Sequence, residues 1–109
     1  MKVVRKGSYY IPTRNDVYIG RGSPLGNPYS HRHGTKAKYI VSTREKAIEK
    51  YEIWLRKRIQ RNNRPIIEAL KRIKEDSNLI CFCKPLSCHG DVILKILNEP
   101  EWSEVDENN

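Results

Sequence analysis

Hydrophobic residues recur every three to four positions in three stretches between Ala47 and Leu97, a spacing that predicts three amphipathic helices. Ser42 followed by Glu45 has the pattern of a capping box and predicts the start of the first helix. Pro65 predicts the start of the second helix. The predicted core positions are Ala47, Ile48, Tyr51, Trp54, Leu55 and Ile59 in the first helix, Ile66, Ile67, Leu70 and Ile73 in the second, and Val92, Ile93, Ile96 and Leu97 in the third.

Short β-prone runs precede and separate these helices. We interpret Lys2–Arg5, Tyr9–Ile11, Asp16–Ile19 and Leu79–Cys83 as strands. Strands that are separated by helices need crossover connections, which make them parallel. The sequence therefore predicts a small α/β fold with a largely parallel sheet and about three helices, in two layers or in a Rossmann-like three-layer arrangement. The length of 109 residues suits one domain with one core, which we expect over residues 1–97.

The charge of the chain is strongly uneven. The sequence has 21 basic and 13 acidic residues, a formal net charge of +8 at pH 7. Residues 98–109 contain five of the acids and no base, so residues 1–97 carry 21 bases against 8 acids, or +13. We expect 98–109 to be a flexible acidic tail that screens the basic body. The body either attracts a polyanion, or its lysines and arginines coat solvated helix faces.

A loop rich in glycine and proline, GRGSPLGNPY, follows the predicted strand Asp16–Ile19. Glycine lets the backbone approach a ligand closely, and the guanidinium of Arg21 is a planar fork suited to phosphate or carboxylate. The spacing matches neither the dinucleotide fingerprint nor the P-loop, so a structured turn is the alternative. The candidate ligand-binding residues are Gly20, Arg21, Ser23, Gly26 and Asn27.

All three cysteines lie in a second unusual segment, CFCKPLSCHGD, which runs from Cys81 to Asp91. Ser87 or Cys88 caps the predicted third helix, and a cysteine at a helix N-terminus is more thiolate-like than a free one. We therefore predict that Cys88, His89 and Asp91 are catalytic residues. In the alternative interpretation, Asp91 is only a partner of the helix dipole.

A metal site is a second interpretation of this segment. Cys81, Cys83, Cys88 and His89 supply three sulfurs and one nitrogen, which suit zinc or an iron–sulfur centre. However, the spacing departs from the usual C-x₂₋₄-C pairing, and Cys81 and Cys83 also suit small buried apolar positions. We therefore expect no cofactor, with zinc or an iron–sulfur centre as the alternative.

Cellular location is predicted from what the sequence lacks. It contains no apolar run near the roughly 20 residues of a membrane span and no apolar core of a signal peptide at the N-terminus. Three cysteines also fit reduced thiols better than a disulfide framework. We expect a cytoplasmic protein without a membrane partner.

The two unusual segments both follow predicted strands. In a parallel sheet, the carboxyl ends of neighbouring strands lie at one edge, where open α/β sheets bind their ligands. We therefore predict that GRGSPLGNPY and CFCKPLSCHGD meet and form one pocket.

Three segments of the chain together resemble a known family. YIGRGSPLGNPY, the helix with the spacing A-x-x-x-Y-x-x-W-L at residues 47–55, and LICFCKPLSCHGD match its pattern. That pattern resembles a family of short proteins from phages and bacteria known only as a domain of unknown function. The likeness covers about Val17–Leu97. It implies a shared site and a phage-related origin, but no particular reaction.

Three functions follow from these observations. The first is binding of a nucleotide or a nucleotide-derived phosphate in the shared pocket, with transferase or hydrolase chemistry as an extension. The second is a basic module that binds nucleic acid, and the third is a phage accessory protein that binds a host protein. The sequence ranks the phosphate-bearing small molecule first and leaves the oligomeric state open.

Overall fold

The structure is a computed structural model that describes residues 1–5, 10–31, 38–81 and 88–105, with the backbone alone for 103–105. In chain order the elements are β1 (Lys2–Arg5), β2 (Asp16–Tyr18), β3 (Tyr29–Ser30), β4 (Tyr39–Ile40), α1 (Arg44–Gln60), α2 (Arg64–Lys71), β5 (Asn78–Cys81), α3 (His89–Leu97) and α4 (Pro100–Val105).

The predicted α/β fold with a parallel sheet is confirmed. Strand β5 lies between β1 and β2, and both pairings are parallel. Asn78 is level with Lys2 on one side and with Asp16 on the other, so the three amino ends lie at one edge. The carboxyl ends of β2 and β5 therefore lie at the opposite edge, which positions the segments that follow them.

Two strand predictions differ from the structure. Tyr10 and Ile11 lie outside the strands, and Tyr9 is outside the described residues. Residues 29–41, where the sequence predicts no strand, contain a second parallel pair, β3 with β4. A pair of two-residue strands carries too few positions to show an alternating pattern in sequence.

Helix α1 begins one residue later than predicted. Its N-cap is Thr43, whose Oγ1 accepts a hydrogen bond of 3.0 Å from the backbone N–H of Lys46. The predicted capping box of Ser42 and Glu45 is therefore wrong, because Ser42 precedes the cap. The predicted apolar stripe is confirmed, since its residues are buried or pack against the core.

The other helices have caps of different chemistry. The side chain of Asn63 caps α2, with Pro65 at the second helical position instead of the first. Cys88 is the N-cap of α3, as one of the two predictions for this helix had it. The core brings the buried faces of α1, α2 and α3 together with residues of the central sheet.

The chain beyond Leu97 adds a fourth helix to the three that were predicted. Glu99 accepts hydrogen bonds from the guanidinium of Arg56 at 2.9 and 2.8 Å, and Trp102 of α4 packs against the core. Residues 106–109 are outside the described residues, so the flexible tail stays a prediction. No helix in the described part of the chain has the length and apolar character of a membrane span.

Candidate functional site

The start of α3 meets the carboxyl end of β2, where the glycine loop begins, so the two unusual segments lie at one edge of the sheet; the shared pocket stays a prediction. The ring Nε2 of His89, at the start of α3, lies 2.5 Å from the carbonyl oxygen of Ile19, the residue that follows β2. A Cβ atom at Gly90 would lie 2.8 Å from Val3 and 3.0 Å from Ile19. Glycine therefore allows the start of α3 to approach the sheet closely enough for this contact.

Hydrogen bonds within the glycine loop make it a tight turn. Ser23 donates to the carbonyl of Gly20 through its Oγ at 2.6 Å and through its N–H at 3.1 Å. The N–H of Gly26 donates to the carbonyl of Ser23 at 3.0 Å. A Cβ at Gly26 would lie 2.6 Å from the carbonyl oxygen of Gly20, so this position requires glycine. The side chain of Ser23 therefore helps to build the turn.

Asn27 holds the end of the loop against α1. Its amide donates to the carbonyl of Ala47 at 3.3 Å, and its Oδ1 accepts from the N–H of Tyr29 at 2.9 Å. The side chain is buried, so both amide groups serve internal bonds. The predicted contact of Asn27 with a ligand thus has no support in these bonds and stays a prediction.

Arg21 is the exposed cation of the loop. Its Nη2 donates to the carbonyl of Tyr29 at 3.0 Å, which turns the guanidinium toward β3. A guanidinium has five N–H donors in a planar fork, so this bond leaves donors for an anion. Arg21 is therefore the loop side chain best suited to contact a phosphate.

Cys88 and Asp91 cap α3 reciprocally. The Sγ of Cys88 accepts from the N–H of Gly90 at 3.3 Å, and a carboxylate oxygen of Asp91 accepts from the N–H of Cys88 at 3.2 Å. The capping box, which sequence analysis placed at the start of α1, is thus found at α3, with cysteine in the serine position. Asp91 has the structural role that was its alternative interpretation, and its catalytic role stays a prediction.

The thiol of Cys88 lies beneath the surface. Cys88 is 2% exposed, and its Sγ is 3.6 Å from the Sγ of Cys81, which is also buried. Neither of these two cysteines forms a disulfide bond. Cys83 is outside the described residues, and the described part alone holds no group of three metal-ligating side chains. The metal interpretation therefore stays a prediction, as does the role of Cys88 as a nucleophile.

His89 is held as a neutral imidazole. Burial lowers its pKa, and the nearby charge of Arg21 lowers it further, against the opposing effects of the Ile19 carbonyl, Cys81 and Asp91. A carbonyl oxygen can only accept, so the neutral ring donates its Nε2–H to Ile19 and keeps the lone pair on Nδ1. A neutral imidazole with this tautomer can accept a proton at Nδ1.

Tyr51 is a residue of the site that sequence reasoning treated only as core. Its hydroxyl donates to the carbonyl of Leu25 in the glycine loop at 2.7 Å. Its ring meets that of His89 edge to face, with centroids 5.0 Å apart and planes at 78°. Burial raises the pKa of Tyr51 and keeps the hydroxyl a donor. A phenol within an otherwise apolar helix stripe was the sequence signal that could have found it.

The candidate site therefore has a rigid interior and a charged rim. Tyr51 bonds the Leu25 carbonyl within the glycine loop, and His89 bonds the Ile19 carbonyl just before it, so together they hold the loop segment against the start of α3. The exposed guanidinium of Arg21 is accessible to an anion, whereas Cys88 is buried at the start of α3. This arrangement can bind an anionic group at the sheet edge and place it close to a neutral histidine.

Comparisons with known proteins identify the family. A family model described as a domain of unknown function, DUF4326, matches residues 3–99. No curated protein and no solved structure matches the chain. The matched region includes the whole candidate site, from Ile19 to Asp91, together with helices α1 to α3 and all of the central sheet except Lys2. The chain therefore belongs to the DUF4326 family of domains of unknown function.

Proposed function

We propose that this protein binds a nucleotide or a nucleotide-derived phosphate at the carboxyl edge of its sheet, between the glycine loop and the start of α3. The observation that carries the proposal is the hydrogen bond from His89 to Ile19, which joins the two segments at one edge. Open α/β sheets bind their ligands at this edge.

In this proposal Arg21 contacts the phosphate. It is the exposed cation of the loop, and its bond to the Tyr29 carbonyl fixes the direction of the guanidinium. The bonds of Ser23 and Asn27 support the loop backbone instead of the ligand. The backbone of residues 20–26 and the fork of Arg21 are then the main binding elements.

Any chemistry at this site would use His89 as a proton acceptor and Cys88 as a nucleophile. Cys88 is both buried and a helix cap, so covalent use would require the start of α3 to open. We therefore propose ligand binding as the primary function, and transferase or hydrolase chemistry as an extension of it.

The proposal is tested by exchanging one arginine. Arg21→Gln removes the charged fork, whereas Arg14→Gln makes the same change just before β2, at the opposite edge of the sheet. Losing a charge-assisted hydrogen bond weakens binding by roughly 10- to 100-fold. The affinity of each variant is measured by calorimetric titration with ribose 5-phosphate and with the four ribonucleoside 5′-monophosphates.

We expect the loss of affinity for Arg21→Gln and wild-type affinity for Arg14→Gln. Equal affinities for both variants would contradict the role of Arg21. Failure of the wild-type protein to bind any of the five compounds would overturn the proposed function itself.

A second candidate function, nucleic-acid binding, is favoured by a cluster of cations near the corner between α1 and α2. Lys57, Arg58 and Arg61 are exposed, and within the described part of the chain none of them pairs with an acidic side chain. If this surface binds the phosphate backbone, Lys57→Gln lowers the slope of log affinity against log salt by about 1. Lys46→Gln, near the other end of α1 and beside Glu49, is the control and keeps the slope.

A further inference from the structure

A stacked aromatic pair, with one exposed ring and one half-buried ring, lies beside the candidate phosphate site. Tyr29 and Tyr39 are level in the parallel pair of β3 and β4, so their side chains project on one face. Their rings are stacked, with centroids 5.1 Å apart and planes at 28°. Tyr39 is 45% exposed. Because an exposed tyrosine keeps apolar surface in contact with water, this ring is available to a planar ligand.

Two cations flank the aromatic pair. Arg21 donates to the backbone carbonyl of Tyr29 at 3.0 Å, which brings the guanidinium to the strand that carries the pair. The Nζ of Lys38 lies 5.5 Å from the centroid of the Tyr39 ring. An aromatic face between two cations matches a ligand that combines a flat ring with negative charge.

The backbone around the pair is held in place without a ligand. The N–H of Tyr39 donates to the carbonyl of Pro28 at 2.8 Å, and the N–H of Val41 donates to the carbonyl of Ser30 at 2.7 Å. Asn27, which directly precedes Pro28, is held by its hydrogen bonds to Ala47 and Tyr29. The platform is thus connected to both the glycine loop and α1, and it needs little reordering to bind.

We propose that Tyr39, supported by Tyr29, is a stacking platform for the base of the nucleotide whose phosphate is bound by Arg21. This inference rests on the proposed function and deepens it, because it assigns the ligand class as a nucleobase joined to phosphate, in place of a sugar phosphate alone. Lys38 covers the ring in the unliganded protein and moves aside for the base. The stacking of a base on an aromatic ring contributes more binding free energy than an exposed cation–π contact, so replacing Lys38 by the base over the Tyr39 ring is favourable.

A nucleobase with a phosphate has two sources, a free mononucleotide and a single-stranded nucleic acid. Both offer a flat ring and negative charge, and both would use Tyr39 in the same way. The mononucleotide uses one base and Arg21, whereas a strand would extend beyond the platform over further cations and depend more steeply on salt. The experiment therefore includes both ligands.

The test replaces Tyr39 with Leu, which keeps an apolar side chain of similar length but removes the aromatic face. Ile40→Ala is the matched control, because Ile40 is the next residue of the same strand and projects on its other face. Calorimetric titrations use the four ribonucleoside 5′-monophosphates, ribose 5-phosphate and an eight-residue oligothymidylate. Circular dichroism of each variant checks that it is folded.

We expect Tyr39→Leu to weaken binding of at least one base-containing ligand by about 5- to 100-fold and to leave ribose 5-phosphate binding unchanged. Ile40→Ala should bind every ligand as the wild type does. Whether the loss falls on the mononucleotides or on the oligothymidylate identifies the source of the base.

The outcomes separate this inference from the proposed function. If Tyr39→Leu binds all base-containing ligands as tightly as the wild type while Arg21→Gln loses them, the platform is overturned and the phosphate site stands. If the wild type binds none of the ligands, both are overturned. If only the oligothymidylate binds and Tyr39→Leu weakens it, the platform stands with a single strand as its ligand, and the mononucleotide function is overturned.

Discussion

His89 contacts two other parts of the candidate site, the carboxyl end of β2 and the ring of Tyr51 in α1. It is 7% exposed, lies against Ile19 through Nε2 and meets the Tyr51 ring edge to face. Burial is the largest cause of its lowered pKa, so the charged form is disfavoured in the folded protein. The same contacts that position the ring therefore make folding sensitive to its protonation.

Replacing His89 with Gln should flatten the dependence of stability on pH. In the unfolded chain the imidazole binds a proton near pH 6.5, whereas the folded protein resists protonation until lower pH. Between these two values the unfolded state holds more protons, so the wild type loses stability as the pH falls below about 6.5. Denaturant titrations from about pH 7 to about pH 5 should show a shallower slope for His89→Gln.

The same substitution at the histidine after β3, His31→Gln, is the control for this experiment. Asp16 does not interfere, because its hydrogen bond from Tyr10 holds its pKa at about 2. The stability that Asp16 contributes is present at pH values above its unfolded pKa near 3.9 and is lost only at lower pH. A wild-type slope in His89→Gln would contradict the assignment of a buried neutral imidazole.

Cys88 occupies the N-cap of α3, a position at which helices more often have serine. Its Sγ accepts from the N–H of Gly90, and its own N–H donates to Asp91. Serine and threonine hydroxyls cap helices in the same way. The residue is therefore explained as a structural cap whether or not its thiol also reacts.

Substitutions at Cys88 should follow capping strength. Cys88→Ala removes the acceptor and should lower the free energy of unfolding by about 0.5–2 kcal/mol. Cys88→Ser restores an oxygen acceptor and should retain more stability than Cys88→Ala. Denaturant unfolding measures both, and a serine variant no more stable than the alanine variant would argue against the cap.

At the scale of elements, helix ends decide where the site residues lie. The first turn of α3 carries His89 toward the sheet, and the start of α1 follows directly on the strand pair that holds Tyr39. For α1 the acceptor is the Oγ1 of Thr43, at 3.0 Å from the N–H of Lys46, although Ser42 has equally suitable chemistry. The backbone of Thr43 is extended, with φ −141° and ψ 164°, which is the conformation a cap requires.

Single alanine substitutions distinguish the two candidate caps of α1. Thr43→Ala should cost about 0.5–2 kcal/mol of unfolding free energy, because one N–H of the first turn loses its acceptor. Ser42→Ala is the matched control and should stay within about 0.5 kcal/mol of the wild type. Thermal unfolding followed by circular dichroism measures both, and the reverse order would restore the sequence-based assignment.

For the whole molecule, ionic bonds tie the segment after Leu97 to α1. Arg56 bonds Glu99 through two nitrogens, and Glu52 accepts from both Arg56 and Lys95. The Arg56 guanidinium also holds the pKa of Glu99 below its ordinary value. These charged groups are partly exposed, so each ion pair contributes little to the stability of the fold. The apolar contact of Trp102 with the core contributes more.

Trp102→Ala tests whether α4 belongs to the folded domain. Removing a partly buried indole should lower the free energy of unfolding by about 1–3 kcal/mol. Ile53→Ala is the control, because Ile53 is an exposed apolar residue of α1 and should cost less than about 0.5 kcal/mol. Equal stability of Trp102→Ala and the wild type in urea titrations would place the boundary of the domain before α4.

Much of the fold could be predicted because its signals are local. Apolar spacing identified the core faces of α1, α2 and α3, and three of the strands were located to within about two residues, the usual precision of such boundaries. The pair β3 with β4 and the helix α4 were missed, since elements of two and six residues carry little periodic signal. Which of two adjacent capping residues is used also depends on backbone angles that the sequence does not display.

By itself, the sequence determined the parallel α/β architecture, the edge where the two unusual segments meet, and the uneven charge, because these depend on periodicity, chain order and composition. Only the tertiary structure decided how the site residues are used. Ser23 and Asn27 bond within the protein, Tyr51 reaches the loop, and His89 bonds Ile19, 70 residues away in sequence. Such bonds form when packing brings distant groups within hydrogen-bond distance, and residue types and spacings do not contain that information.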